Sequence, residues 1–171
     1  MRYVFLLQLI CAIAAASIND IIFFEANFQQ NITDDKGKVL SYIGILKAAK
    51  PQSALWTYLK PVKKEIYIAD AKVVIIEPEL EQVIIKRIDE NFDFFSIIKN
   101  AKKINKNIYL AKFQNSEFLI TESNSKIESI AYKDELDNSV EILFTNQIQN
   151  VEISKKVFIP TIPQDFDIIQ D

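Results

Sequence analysis

The chain contains no histidine, and its single cysteine, Cys11, lies in an N-terminal apolar run. The first absence removes the commonest general base near neutral pH and the commonest transition-metal ligand. The second leaves everything after that run without a thiol for a disulfide, a thiolate metal site or a nucleophile. Glycine is nearly as scarce, with only Gly37 and Gly44, so left-handed turn positions must fall mostly to Asn and Asp. There is no basic excess either. A net charge of −3 argues against a surface that neutralises nucleic-acid phosphates. Glu77, Glu79 and Glu81 invite a paired-carboxylate reading, but they have neither a base partner nor metal-ligating companions. The chain therefore reads as a non-enzyme without cofactor or metal.

Aliphatic and aromatic residues are abundant, at 49% of 171 residues, enough for one domain with a sizeable core. Residues 1–16 place Arg2 before an apolar run from Tyr3 to Ile13 and end in Ala14, Ala15 and Ala16. That is the pattern of a cleaved secretory signal, too short to span a bilayer. Cleavage after Ala16 is expected to leave Ser17 at the N-terminus of one domain, residues 17–171. A rival reading lipidates Cys11, against which stands the bulky Ile10 before it. No other stretch reaches about 18 uninterrupted apolar residues, so a soluble mature chain is expected.

From Leu40 onward, runs rich in Ile, Val, Phe, Tyr and Thr alternate with spacers rich in Asn, Asp, Ser and Lys, a strand-and-turn rhythm. Strands are predicted over 39–48, 54–59, 64–69, 72–77, 80–86, 108–113, 117–122, 126–132, 139–145 and 148–153. Asp70-Ala71, Asn115-Ser116, Asn124-Ser125 and Asp137-Asn138 are the predicted turns. The short spacers favour an antiparallel meander. Two stretches read as amphipathic helices: Ser17 to Thr33, with Ile21, Phe24 and Phe28 at helical spacing, and Phe92 to Lys103. Several strands, such as that holding Val73 to Ile76, are apolar on both faces. Such a sheet needs a second sheet, closure into a barrel, covering helices or a bound apolar cargo.

A more specific signal runs from Phe28 to Gln82. Phe28-Gln29-Gln30 precedes a polar turn at Asp34-Asp35-Lys36-Gly37, followed by Tyr42-Ile43-Gly44, Lys50-Pro51, Leu55-Trp56 and Lys60-Pro61-Val62-Lys63-Lys64-Glu65. Ala69-Asp70-Ala71 and Glu77-Pro78-Glu79-Leu80-Glu81-Gln82 complete the series. In this order and spacing the chain resembles the LolA family of periplasmic lipoprotein carriers. The tail, Phe158-Ile159-Pro160 and Pro163 to Asp167, resembles the family's ending. The resemblance implies a mainly β fold, a single antiparallel sheet curved into an incomplete, half-open barrel with short α-helices as a lid. It implies a carrier, expected to be a monomer, that takes acylated lipoproteins from an inner-membrane ABC exporter, shields their acyl chains across the periplasm, and delivers them to an outer-membrane acceptor. The chain departs from the family in four places. Lys50 stands where Arg commonly ties lid to barrel, Ala71 where Gly is common, Asp165 where Gly is frequent, and the N-terminal helix is short if cleavage follows Ala16.

Under this reading Trp56, Tyr58, Ile66, Ile68, Ile84, Phe94, Phe95 and Ile98 are the acyl-cavity candidates, and Lys50 is the candidate lid tether. The plain alternative makes the apolar residues ordinary core and Lys50 an exposed charge. Lys99, Lys102, Lys103 and Lys106 fit either a docking strip for an acidic surface or a solvated face. The competing function is a lipidated outer-membrane acceptor, or a lipoprotein-sensing regulator, on the same half-barrel. Intact-mass analysis of the exported protein separates these. A mass starting at Ser17 without lipid is expected, whereas an acylated Cys11 would favour the acceptor.

Overall fold

The computed structural model describes residues 18–87, 94–113 and 115–170; Cys11, the Ala16–Ser17 junction and Phe92 lie outside them. The first six strands are β1 (Phe23–Thr33), β2 (Val39–Ala49), β3 (Ser53–Lys60), β4 (Lys64–Ala69), β5 (Lys72–Glu77) and β6 (Gln82–Arg87). One helix, α1 (Phe94–Lys99), leads to β7 (Lys102–Asn105), β8 (Ile108–Phe113), β9 (Ser116–Ser123), β10 (Lys126–Lys133), β11 (Ser139–Gln149) and β12 (Asp167–Gln170). They form a single sheet in the order β12-β6-β5-β4-β3-β2-β1-β11-β10-β9-β8-β7. Two meanders are joined side by side through β1 and β11, antiparallel throughout except for the parallel β12–β6 pair. The edge strands β12 and β7 do not pair with each other, so the barrel is incomplete.

Turn chemistry sets this register. Asp70-Ala71 and Asn124-Ser125 are two-residue hairpin loops with φ of 51° and 57°, and 52° and 61°. Both central residues are left-handed, as the twist of flanking strands favours, so Ala71 occupies the glycine position without changing the turn type. The two longer hairpins share one design. Asp34 Oδ1 accepts from the backbone N–H of Lys36 and Lys38, and Asp134 Oδ1 from that of Leu136 and Asn138. The left-handed residue is Gly37 in one and Asp137 in the other.

Several sequence expectations are corrected. Ser17 to Thr33 is not helical in its described part: a 3₁₀ turn at Ile18–Asp20 leads straight into β1. Burial in β1 falls on Phe24, Ala26 and Phe28, a period of two that the spacing of Phe24 and Phe28 alone does not distinguish from a helix. The second helix stops at Lys99, and residues to its C-terminal side become the edge strand β7. β11 runs on to Gln149 where a separate strand over 148–153 was expected, and a 3₁₀ turn at Pro78–Leu80 precedes β6, which begins at Gln82 where a strand over 80–86 was expected.

The core lies on the inner face. Phe24, Leu46, Ala48, Phe118, Ile120, Ile130, Val140 and Phe144 are buried there beneath the helix residues Phe94, Phe95, Ile97 and Ile98. On the other face, Val74, Ile76 and Val83 are covered by Ile162 and Phe166. The sheet is thus apolar on both sides at β5 and β6, and the C-terminal segment covers the outside.

Gly44 fixes one packing contact. Phe28 lies opposite it, and a Cβ added there would stand 2.2 Å from the Thr57 carbonyl oxygen and 2.6 Å from the Phe28 ring. Gly44→Ala is expected to cost about 1–3 kcal/mol by overpacking. Ala71→Gly should stabilise by about 1 kcal/mol by relieving a left-handed Cβ. Urea midpoints moving in opposite directions for the two variants would check both.

Candidate functional site

The inner face encloses a cavity of about 180 Å³ beneath α1. Trp56 and Tyr58 on β3 and Ile66 and Ile68 on β4 line one side, while Phe118, Ile130, Tyr132 and Ile142 line the other. Phe94 and Ile97 form the helix side, and Gln30 reaches in from β1. β4 and β9 stand six places apart along the sheet. In a flat sheet that spacing would be roughly 29 Å, so a shared cavity requires the sheet to curl.

Cross-strand register explains why these residues meet. Leu46, Trp56, Ile66, Ile75 and Ile84 are successive cross-strand partners from β2 to β6, and directly opposed residues share a face. Trp56 and Ile66 therefore reach the cavity. Ile84 shares their face two strands further on, outside the lining. Phe95 and Ile98 are buried in the core around the cavity without lining it. Gln30, Ile97, Phe118, Ile130, Tyr132 and Ile142 were not anticipated. Alternation in Phe118/Ile120, Ile130/Tyr132 and Ile142/Phe144 carries that signal for the second meander, while reading β1 as a helix concealed Gln30.

Aromatic contacts stiffen the wall. The Phe28 ring meets Trp56 and Tyr58 edge-on, each at 5.1 Å between centroids, and Tyr42 meets Tyr58 at 5.6 Å. Lys64 Nζ sits 4.5 Å from the Tyr58 ring centre, a cation over a π-face near the cavity rim. Tyr58 Oη donates to Gln30 Oε1 at 3.0 Å. Burial is the main reason the Tyr58 phenol is pushed far above its ordinary range, with Tyr132 and Tyr42 adding to it. Burial and then the hydrogen bond to Glu65 push Tyr67 up to about 12.

The helix side is held by two clasps near the N-terminal end of β1. Lys50 Nζ donates to the Asn19 carbonyl at 3.0 Å and lies 5.7 Å from the Phe95 ring centre. Asn150 Oδ1 accepts from the Ile22 N–H at 2.7 Å, and its Nδ2 donates to the Asp20 carbonyl at 3.3 Å. Lys50 therefore touches the 3₁₀ turn through a hydrogen bond and α1 through a ring contact.

A larger depression, about 1030 Å³, opens elsewhere, on the outer face near the 134–138 hairpin. Asn31, Thr33, Glu117, Asp134 and Glu141 bring polar and charged groups into its lining, which hydrocarbon would have to desolvate. Among the described residues no group of three His, Cys, Asp or Glu is placed to hold a metal. The cavity under α1 offers apolar surface and a few hydroxyls, which suits binding rather than bond-breaking.

The raised phenols give a pH dependence. The folded state keeps protons on Tyr58 and Tyr67 that the unfolded chain releases near pH 10. Their contribution is complete below about pH 10 and is lost as pH rises toward the folded values. Urea midpoints should fall with pH above about 10, and more steeply for the wild type than for Tyr58→Phe. Equal slopes would deny the effect.

Comparison with known proteins places this architecture. Residues 20–117 match the family model described as outer membrane lipoprotein carrier protein LolA. The outer-membrane lipoprotein carrier protein of Campylobacter jejuni is 42% identical over 147 residues, 86% of each chain. That of Wolinella succinogenes is 32% identical over 93% of each. Among solved structures, a LolA superfamily protein from Nitrosomonas europaea superposes with a TM-score of 0.52 at 10% identity, covering 82% of this chain and 91% of that one. An uncharacterized conserved protein from Thermus thermophilus gives 0.56 at 11%, covering 90% and 93%.

Proposed function

The chain belongs to the LolA family of outer-membrane lipoprotein carrier proteins, and from that premise we propose how it loads and releases its cargo. It is a lipoprotein carrier of the periplasm. Its work is binding and transfer, in keeping with the absence of histidine. The observation behind the proposed loading step is the apolar cavity roofed by α1.

That cavity is too small to hold the cargo as it stands. Drug-sized ligands occupy pockets of roughly 300–1,000 Å³, and an acylated lipoprotein brings more than one long chain. Loading therefore displaces α1. Phe94, Phe95, Ile97 and Ile98 are all buried, and exposing such side chains costs about 1.5–3 kcal/mol each. Burying an acyl chain returns about 0.8 kcal/mol per methylene, on the order of 12 kcal/mol for a long one. For a single chain the two quantities are of similar size, and each further chain adds to the gain on loading. A lid exchanged for a lipid at near balance allows both capture and release.

In this reading Trp56, Tyr58, Ile66, Ile68 and Phe94 contact acyl chains, and Ile84 joins them when the lid moves away. Phe95 and Ile98 hold the lid closed. Lys50 is the tether, through one hydrogen bond and a ring contact in place of the planar fork of an arginine. The signal is cleaved after Ala16, and residues 17–171 act as a monomer between an inner-membrane ABC exporter and an outer-membrane acceptor.

The test incubates the purified protein with spheroplasts secreting an outer-membrane lipoprotein. A soluble one-to-one complex is expected, and failure to recover it would count against the carrier. Ile66→Trp, which fills the cavity, should reduce complex yield several-fold without lowering the melting temperature. Lys50→Leu should increase binding of an apolar fluorescent dye, while Lys50→Arg should not.

A further inference from the structure

The cavity under α1 makes no use of the lysines beside it, and their placement is one-sided. From Phe94 to Phe113 the chain carries five lysines and no carboxylate side chain. Lys112 pairs with Glu117. Lys99, Lys102, Lys103 and Lys106 are exposed and make no ion pair with a described residue. Lys103 Nζ lies 5.3 Å from the Tyr109 ring centre, and the Tyr109 hydroxyl donates to the neighbouring Glu122 carboxylate. Ile104 stands in the middle of the strip at 56% exposure. Asp89, Glu90 and Asp93, which precede the helix in sequence, lie outside the described residues.

The fold sets this strip at the opening of the half-barrel. β6 and β7 belong to opposite ends of the sheet, and the chain passes from one to the other through α1. β7 is a bare edge. On the other side β12 pairs with β6 from Gln82 to Ile85, which leaves Arg87 beyond its cover. Arg87 is directly opposite Lys72 on β5, a meeting of like charges that costs stability and that an anion would relieve. Asp134, Glu135 and Asp137 lie at the other end of the strands, since the hairpin from β10 to β11 turns opposite to the one at Lys106. A chain of net charge −3 thus presents a basic opening.

We propose that this basic lip docks on an anionic phospholipid surface and seats the opening against the layer that acyl chains leave and enter. Two observations favour lipid over an acidic protein. The strip is made of lysines, compact ammonium groups on flexible stems that suit a fluid headgroup layer and are depleted at protein–protein interfaces. Ile104 among them supplies the apolar contact that the headgroup boundary accepts. Each lysine near such a surface strengthens binding about fivefold, and salt screens the attraction. Docking itself needs no cargo; its purpose rests on the carrier reading.

The test sediments the mature protein with vesicles of phosphatidylcholine, or of phosphatidylcholine and phosphatidylglycerol in equal parts. The wild type should bind the anionic vesicles despite its net negative charge, and added salt should release it. Lys102→Gln with Lys106→Gln should weaken that binding about 25-fold. Lys36→Gln with Lys38→Gln, an equal change in charge on the far hairpin, should leave it unchanged. A wild type that does not prefer anionic vesicles overturns the proposal, as do two double variants that weaken binding alike. If either variant fails to fold, the wild-type preference and its release by salt decide alone. Absence of vesicle binding from a protein that still forms the soluble complex with spheroplasts removes the docking and leaves the carrier, whereas vesicle binding without that complex does the reverse.

Discussion

An apolar sheet face cannot remain wet, and everything in this molecule follows from how its inner face is kept dry. A closed barrel would fill that face permanently with its own side chains. Here the two edge strands stay apart, and a helix of six residues, Phe94–Lys99, covers the middle. A short helix has little intrinsic stability in water, so it stays in place chiefly by what it buries. In the proposed loading step the surface that holds the lid is also the surface that takes the cargo. Competition between them is built into the architecture.

The remaining features keep that competition confined to the lid. Phe28 over Gly44 and the edge-on rings of Trp56 and Tyr58 hold the wall of the first meander. The outer apolar stripe at Val74, Ile76 and Val83 is covered by Ile162 and Phe166, so only one face of the sheet is exchangeable. Lys50 and Asn150 pin the 3₁₀ turn from neighbouring strand ends. The lid thus rests beside a fixed abutment on a braced frame.

Most of the sheet was legible because its strands alternate and its turns carry Asn and Asp. β4 and β5, with Asp70-Ala71 between them, were bounded correctly from pattern alone. β1 was misread because Phe24 and Phe28 satisfy both periods, and pairing with β2 and β11 decides between them. The edge strands were missed for a related reason. Lys102–Asn105 and Asp167–Gln170 are four exposed residues each, too short and too polar to show a pattern. Trp56 and Ile66 were both among the cavity candidates, and their pairing falls within one meander. Their counterparts Phe118, Ile130 and Ile142 lie across the curl of the sheet, and no local periodicity reports a contact made that way. Gln30 and Tyr132 come to one cavity through the pairing of β1 with β11 and of β11 with β10, contacts between strands far apart in sequence.

The pairing of β1 with β11 joins Phe24 to Gln149 and Thr33 to Ser139. A chain emerging from its N-terminus offers one side of β1 no neighbour until nearly all of it has appeared. Contacts so distant in sequence form slowly. The emerging polypeptide therefore remains a loose thread for longer than one made of local hairpins would. The hairpins of each meander can therefore set first, and the seam that joins the two halves of the sheet is the last part of the shape to lock.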